Sequence, residues 1–259
     1  MALLRLKLKT TSKKMVMIIY TLLVVILLLS RFDFLRTTDH LSDLLWLTDN
    51  YNSASIIGYG IPLIYVAFLT LLENNHLLNS STLARLPGRW ALVRSATMTA
   101  GLAALIVGSV SLVTMFLIAP TTLFTGWQWS RLLIHEFKDF FQTNPELTFP
   151  LQFQCFLFTL QLVAYLTALG LLFEIIHYAL VSIRLSFAGT VLLVFIQTTI
   201  LKNGLFEADW LPARFYIYYF TGASRQSIVN LLSYWLVALA SLTLVLTAVI
   251  MRRKQVSYG

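Results

Sequence analysis

Apolar residues run through this chain in long blocks, and the polar ones collect between the blocks. Six stretches approach the roughly 20 residues that a helix needs to cross a bilayer core. They are 15–30, 54–73, 96–119, 153–173, 182–201 and 228–251. The first and fifth have short apolar cores, so their helices are expected to begin near Ser12 and Ser182. In lipid the backbone must satisfy its own hydrogen bonds, which leaves a helix as the reading for each block. The expected fold is all-α: a polytopic membrane protein, one domain over 1–259, with six transmembrane helices. An amphipathic outer interfacial helix and a short cytoplasmic coupling element complete it.

The intervals carry patterns of their own. In 124–150, Trp129, Leu132, Leu133, Phe137, Phe140 and Phe141 recur at helical spacing opposite Ser130, Arg131, His135, Lys138 and Asp139. That is a helix lying in the headgroup region, or one capping the outer mouth of a pathway. The aromatic interval 202–227, with Trp210, Tyr216, Tyr218 and Tyr219, reads as an interface belt or as a broken element leading into the last span. The stretch 73–94 sets Arg85, Arg89 and Arg94 against the single acid Glu73. Its Pro87-Gly88 pair marks a turn between two short helical pieces. It serves either as a solvated basic connector that fixes topology or as the surface through which the protein is driven.

Composition settles the class. Of 259 residues 58% are hydrophobic and 12% charged, against about 25% charged in soluble domains. The net charge of +8 does not mark a nucleic-acid partner, because the basic residues form short clusters beside apolar blocks and no separate domain. With the N-terminus inside, the inner segments hold 12 of the 19 Lys/Arg and 2 of the 11 acids. This asymmetry places both termini in the cytoplasm of a multi-pass cell-membrane protein. Arg5 to Lys14 ahead of an apolar run also fits a secretory signal, but Ser30-Arg31-Phe32 offers no small-x-small cleavage pattern. An uncleaved first span is expected.

All charges fall between spans or at their edges, which disfavours ion-coupled transport. Gln161 and Gln197, well inside spans, are expected to hydrogen-bond between helices. Gly101, Gly108, Ser109 and Ser111 are expected to permit close helix approach. Catalytic constellations fail in turn. His135-Glu136-Phe137-Lys138-Asp139 lacks the second histidine of a zinc motif. Glu174 and His177 form an i, i+3 pair that cannot complete a metal shell alone and reads as a satisfied pair at a helix end. The lone Cys155 excludes a disulfide framework. Neither a nucleophile elbow nor a phosphate-binding loop occurs, so energy must enter through a partner or be unnecessary. No catalytic residue, metal or cofactor is expected.

Several local features together resemble the type-2 permeases of ATP-binding-cassette transporters, especially small bacterial ones that accompany lantibiotic or bacteriocin systems. These are the basic N-terminus, Glu73 at the end of span two before Leu-Ala-Arg-Leu-Pro-Gly-Arg-Trp, and the inner turn Ser182-Ile183-Arg184-Leu185-Ser186-Phe187. The aromatic outer interval and the basic tail after span six are similar too. The resemblance implies a permease that docks on a separate ATPase subunit through Glu73, Arg85, Pro87, Gly88, Arg89 and Arg94 and pairs with a second permease, alike or different. Its cargo would be peptide or lipid-like. The long outer interval 124–150 departs from the minimal family layout. An immunity or scaffold protein without transport, and an integral-membrane enzyme, stand as the alternatives.

Overall fold

In the computed structural model the described residues are 58–74, 88–118, 151–202 and 225–252, with Lys13, Met17, Tyr20, Thr21 and Val25. They form α1 (Ile61–Asn74), α2 (Arg89–Ile118), α3 (Leu151–Leu180), α4 (Ile183–Lys202) and α5 (Arg225–Arg252). Among the described residues there is no strand. Among the described residues four helices are long and apolar enough to cross a membrane, over Arg89–Ser111, Thr159–Leu180, Ile183–Ile200 and Val229–Arg252. The apolar stretch Gly58–Glu73 is shorter. Of the expected first span, Met17, Tyr20, Thr21 and Val25 are described and helical; its remainder lies outside the described residues. So do the interval 124–150 and the aromatics of 203–224.

Helix α3 is the hub and touches each of the other four. Gly108 of α2 packs against Val163, and Gly170 of α3 against Ala100, so α2 and α3 run antiparallel. Tyr59 Oη lies 3.1 Å from Thr199 Oγ1, and Thr198 Oγ1 donates to the Gly58 carbonyl at 3.0 Å, which pairs the start of α1 with the end of α4. Arg89 at the start of α2 donates to the carbonyl of Met251 at the end of α5. Thus α1, α3 and α5 run one way and α2 and α4 the other, as alternate spans must. Most of the exposed residues of α5 are apolar: Leu236 is 71% and Leu244 70% exposed. Such a surface is stable against lipid rather than water.

The closest approach is at Gly170. A Cβ there would come 2.8 Å from Ala100 Cβ and would also collide with the Tyr65 hydroxyl. Tyr65 is fully buried and donates to the Ala100 carbonyl at 2.9 Å, so one side chain of α1 seals the α2–α3 contact. Several hydroxyls elsewhere satisfy themselves along their own helix. Thr70, Thr99, Ser111, Thr167, Thr243 and Thr247 each donate to the carbonyl four residues back at 2.7 to 2.9 Å.

Three expectations change. Of the small residues expected to admit a neighbour, Gly108 does so, but a Cβ on Gly101 would meet open space and Ser109 is exposed. Ser111 is buried and bonds to its own helix. Both amide atoms of Gln161 and the oxygen of Gln197 have no partner among the described residues. The interhelical bonds expected of these three atoms are not seen among the described residues. Finally, the piece after Pro87-Gly88 is not a separate short helix, because Arg89 already belongs to the 30-residue α2.

The α3–α4 turn is tighter than its sequence suggests. Helix α3 ends at Leu180, Val181 takes φ 54°, and α4 begins at Ile183. Val181 N donates to the His177 carbonyl at 2.9 Å, a helix-ending bond in which a left-handed residue turns the chain. Ser182 caps α4, its Oγ accepting from Leu185 N at 3.3 Å. The expected helix start near Ser182 is met, and 183–187 are helix rather than turn.

Candidate functional site

The residues expected to meet a partner cluster where α1 ends and α2 begins. Glu73, in the last turn of α1, is buried. Arg85 and Pro87 lie outside the described residues. Gly88 has φ 135°, a conformation that side chains rarely adopt, and its carbonyl accepts from Ala91 N at 3.1 Å to start α2. Glycine is favoured there because a positive φ of this size strains any residue that carries a Cβ.

The first two turns of α2 have two different faces. Val93, Ala96 and Ala100, at i, i+3 and i+7, pack with Leu171, Tyr178, Leu246 and Ile250 from α3 and α5. Trp90 and Arg94, one turn apart, are exposed, Trp90 at 70%. Arg89 bridges the faces: its guanidinium donates to the Met251 carbonyl, where the last carbonyls of α5 lack helical partners and carry the negative end of the dipole. This end of α2 is thereby tied to α5 and α3 on one side and open on the other. Of the six expected residues, Arg94 presents a free face, Arg89 is engaged within the chain and Glu73 is interior.

A second group lies deeper. Glu174 and His177 are buried on α3, inside the candidate span Thr159–Leu180. The His177 ring stacks on Phe173 at 6.3 Å and meets Tyr178 edge-on at 5.6 Å. Glu174 and His177, expected at the edge of a span, lie in the last two turns of a helix whose candidate span runs on to Leu180. The apolar run stops at Phe173, but the helix continues for two further turns to Leu180. Among the described residues no three His, Cys, Asp or Glu side chains are placed to hold a metal ion.

The chain matches no family model, no curated protein and no solved structure. The site is therefore interpreted from its own geometry. Sequence patterning missed Trp90 and Tyr65. Trp90 was signalled by its i, i+4 spacing to Arg94 beside a Pro-Gly turn. Tyr65 carried no signal, because a tyrosine in an apolar block looks the same whether it meets lipid or a neighbouring backbone.

Proposed function

We propose that this chain is the transmembrane permease subunit of an ATP-driven exporter, forming the substrate path and driven by a separate ATPase subunit. The observation that carries this reading is the exposed Trp90–Arg94 face on a helix end whose other face is joined to α3 and α5. A push on that face is transmitted to three helices together, since packed helices move as units. The bilayer-length apolar helices provide the path, and no phosphate-binding loop provides the force. The fuller arrangement has six spans, both termini in the cytoplasm, and a second permease subunit facing this one. The substrate class that fits an apolar path is a peptide or a lipid-like molecule.

The test is purification in mild detergent followed by an ATPase assay. An ATP-hydrolysing subunit should co-purify, and its hydrolysis should rise in the complex. A chain that purifies alone and leaves hydrolysis by added neighbouring ATPases unchanged overturns the reading.

One observation favours a second reading. Buried ionisable groups inside a span commonly mark ion pathways, and Glu174 and His177 are such groups. Under that reading the chain alone, in sealed vesicles, moves protons down an imposed pH gradient, and Glu174→Gln slows this at least tenfold. Vesicles as tight to protons as empty ones dismiss it.

A further inference from the structure

A cavity of about 290 Å³ lies between α3, α4 and α5, at the lower edge of the range for small-molecule sites. Its wall is mainly apolar, interrupted by Tyr165, Gln197, Tyr234 and Ser241, and among the described residues no Lys, Arg, Asp, Glu or His lines it. Gln197 is 8% exposed, and its amide oxygen has no hydrogen-bond partner among the described residues. Two more buried polar groups without partners stand close by. Gln161 is one helical turn before Tyr165 on α3, and the Trp235 indole nitrogen belongs to a ring set edge-on to Tyr165 at 6.4 Å. Each of the three helices around the cavity thus brings an unpaired polar group to one neighbourhood.

Native interiors hold few such groups, because an unpaired polar atom away from water is costly. In a bilayer core no water repairs the loss. Thr190 of α4 is also buried without a partner among the described residues, but Thr167 and Thr243 avoid the loss by bonding along their own backbone. Gln197 does not. We propose that the cavity binds an uncharged amphiphile drawn from the bilayer, its hydroxyl hydrogen-bonded to the Gln197 amide and its hydrocarbon body against the apolar wall. A hydroxyl suits the amide because it both donates to the oxygen and accepts from the nitrogen. Charge is disfavoured because no described residue of the wall pairs with it. The bilayer is the source because α4 and α5 are the least buried candidate spans, 28% and 17%, so the cavity is set behind helices whose outer faces meet lipid. The inference is independent of how the chain is driven.

The experiment uses the full chain in lipid nanodiscs with a long-chain alcohol carrying a photoreactive diazirine, and the corresponding hydrocarbon carrying the same group but no oxygen. The alcohol should label peptides of α3, α4 or α5, with unlabelled alcohol competing. The hydrocarbon should bind about tenfold more weakly, the worth of one buried hydrogen bond. Gln197→Leu should weaken the alcohol by a similar factor and leave the hydrocarbon unchanged. Ala238→Phe, which fills space at the wall and keeps Gln197, should remove labelling by both. Equal binding of alcohol and hydrocarbon to the parent protein overturns the proposal without any variant, and so does unchanged alcohol labelling in a folded Gln197→Leu or Ala238→Phe protein.

Discussion

Replacing Gly170 with alanine is expected to lower the stability of the helix bundle by on the order of 2 to 4 kcal/mol, while the same change at Gly101 raises it by about 0.5 kcal/mol. Both glycines lie inside long apolar helices, so intrinsic propensity favours alanine at each. The surroundings decide the sign. At Gly170 the new Cβ would arrive 2.8 Å from Ala100 Cβ and displace the Tyr65 hydroxyl from the Ala100 carbonyl, leaving a buried donor unpaired. Packed helices cannot separate locally without loosening the core that Tyr65, Leu166 and Leu169 share. At Gly101 the Cβ meets nothing within 4 Å. Thermal unfolding in mild detergent, followed by size-exclusion profile, gives the comparison directly. Shifts of the same sign and size at both positions would mean that α1, α2 and α3 do not meet at Gly170.

These two glycines also show how much of the fold was legible in the sequence. The apolar blocks located α2 to α5 to within a turn or so at most ends, because a bilayer demands length and apolarity and both are countable. Which face of each helix meets its neighbours was not legible. In a helix that is apolar all round, the side facing lipid and the side facing protein have the same composition, and periodicity has nothing to distinguish. Gly101 and Gly108 therefore looked alike, and Gly170 and Tyr65 went unremarked. Two boundaries were misplaced for a related reason. The apolar run before Glu174 ends at Phe173, yet backbone hydrogen bonding carries α3 on to Leu180 and takes Glu174 and His177 with it. Likewise Arg89 and Arg94 seemed to belong to a polar connector, although their spacing lets α2 begin directly after Gly88. The candidate site was legible as a segment, 73–94, but not in its division of labour.

That division leads to the largest functional effect expected. The double change Trp90→Ala, Arg94→Ala should weaken association with the proposed ATPase subunit at least thirtyfold, whereas Arg89→Ala should act first on the permease itself. Trp and Arg anchors at the centre of an interface commonly carry 2 kcal/mol or more each, and truncating one member of a buried charge pair costs on the order of 2 to 5 kcal/mol. Trp90 and Arg94 are open to a partner, and their helix face is otherwise uncommitted among the described residues. Arg89 is committed already: its guanidinium holds the Met251 carbonyl, an exposed contact at a helix C-terminus that is worth about 0.3 to 1 kcal/mol. Its loss should lower the melting temperature slightly and uncouple α2 from α5, so stimulated hydrolysis falls further than binding does. Arg85→Ala, in the connector itself, separates a docking charge from a topological one. Only the docking charge changes affinity. Membrane insertion of each variant is confirmed first, and then association and stimulated hydrolysis are measured side by side. If the Trp90, Arg94 variant binds and stimulates as the parent does, this end of α2 is a basic connector with an exposed tryptophan, and any force on the bundle enters elsewhere.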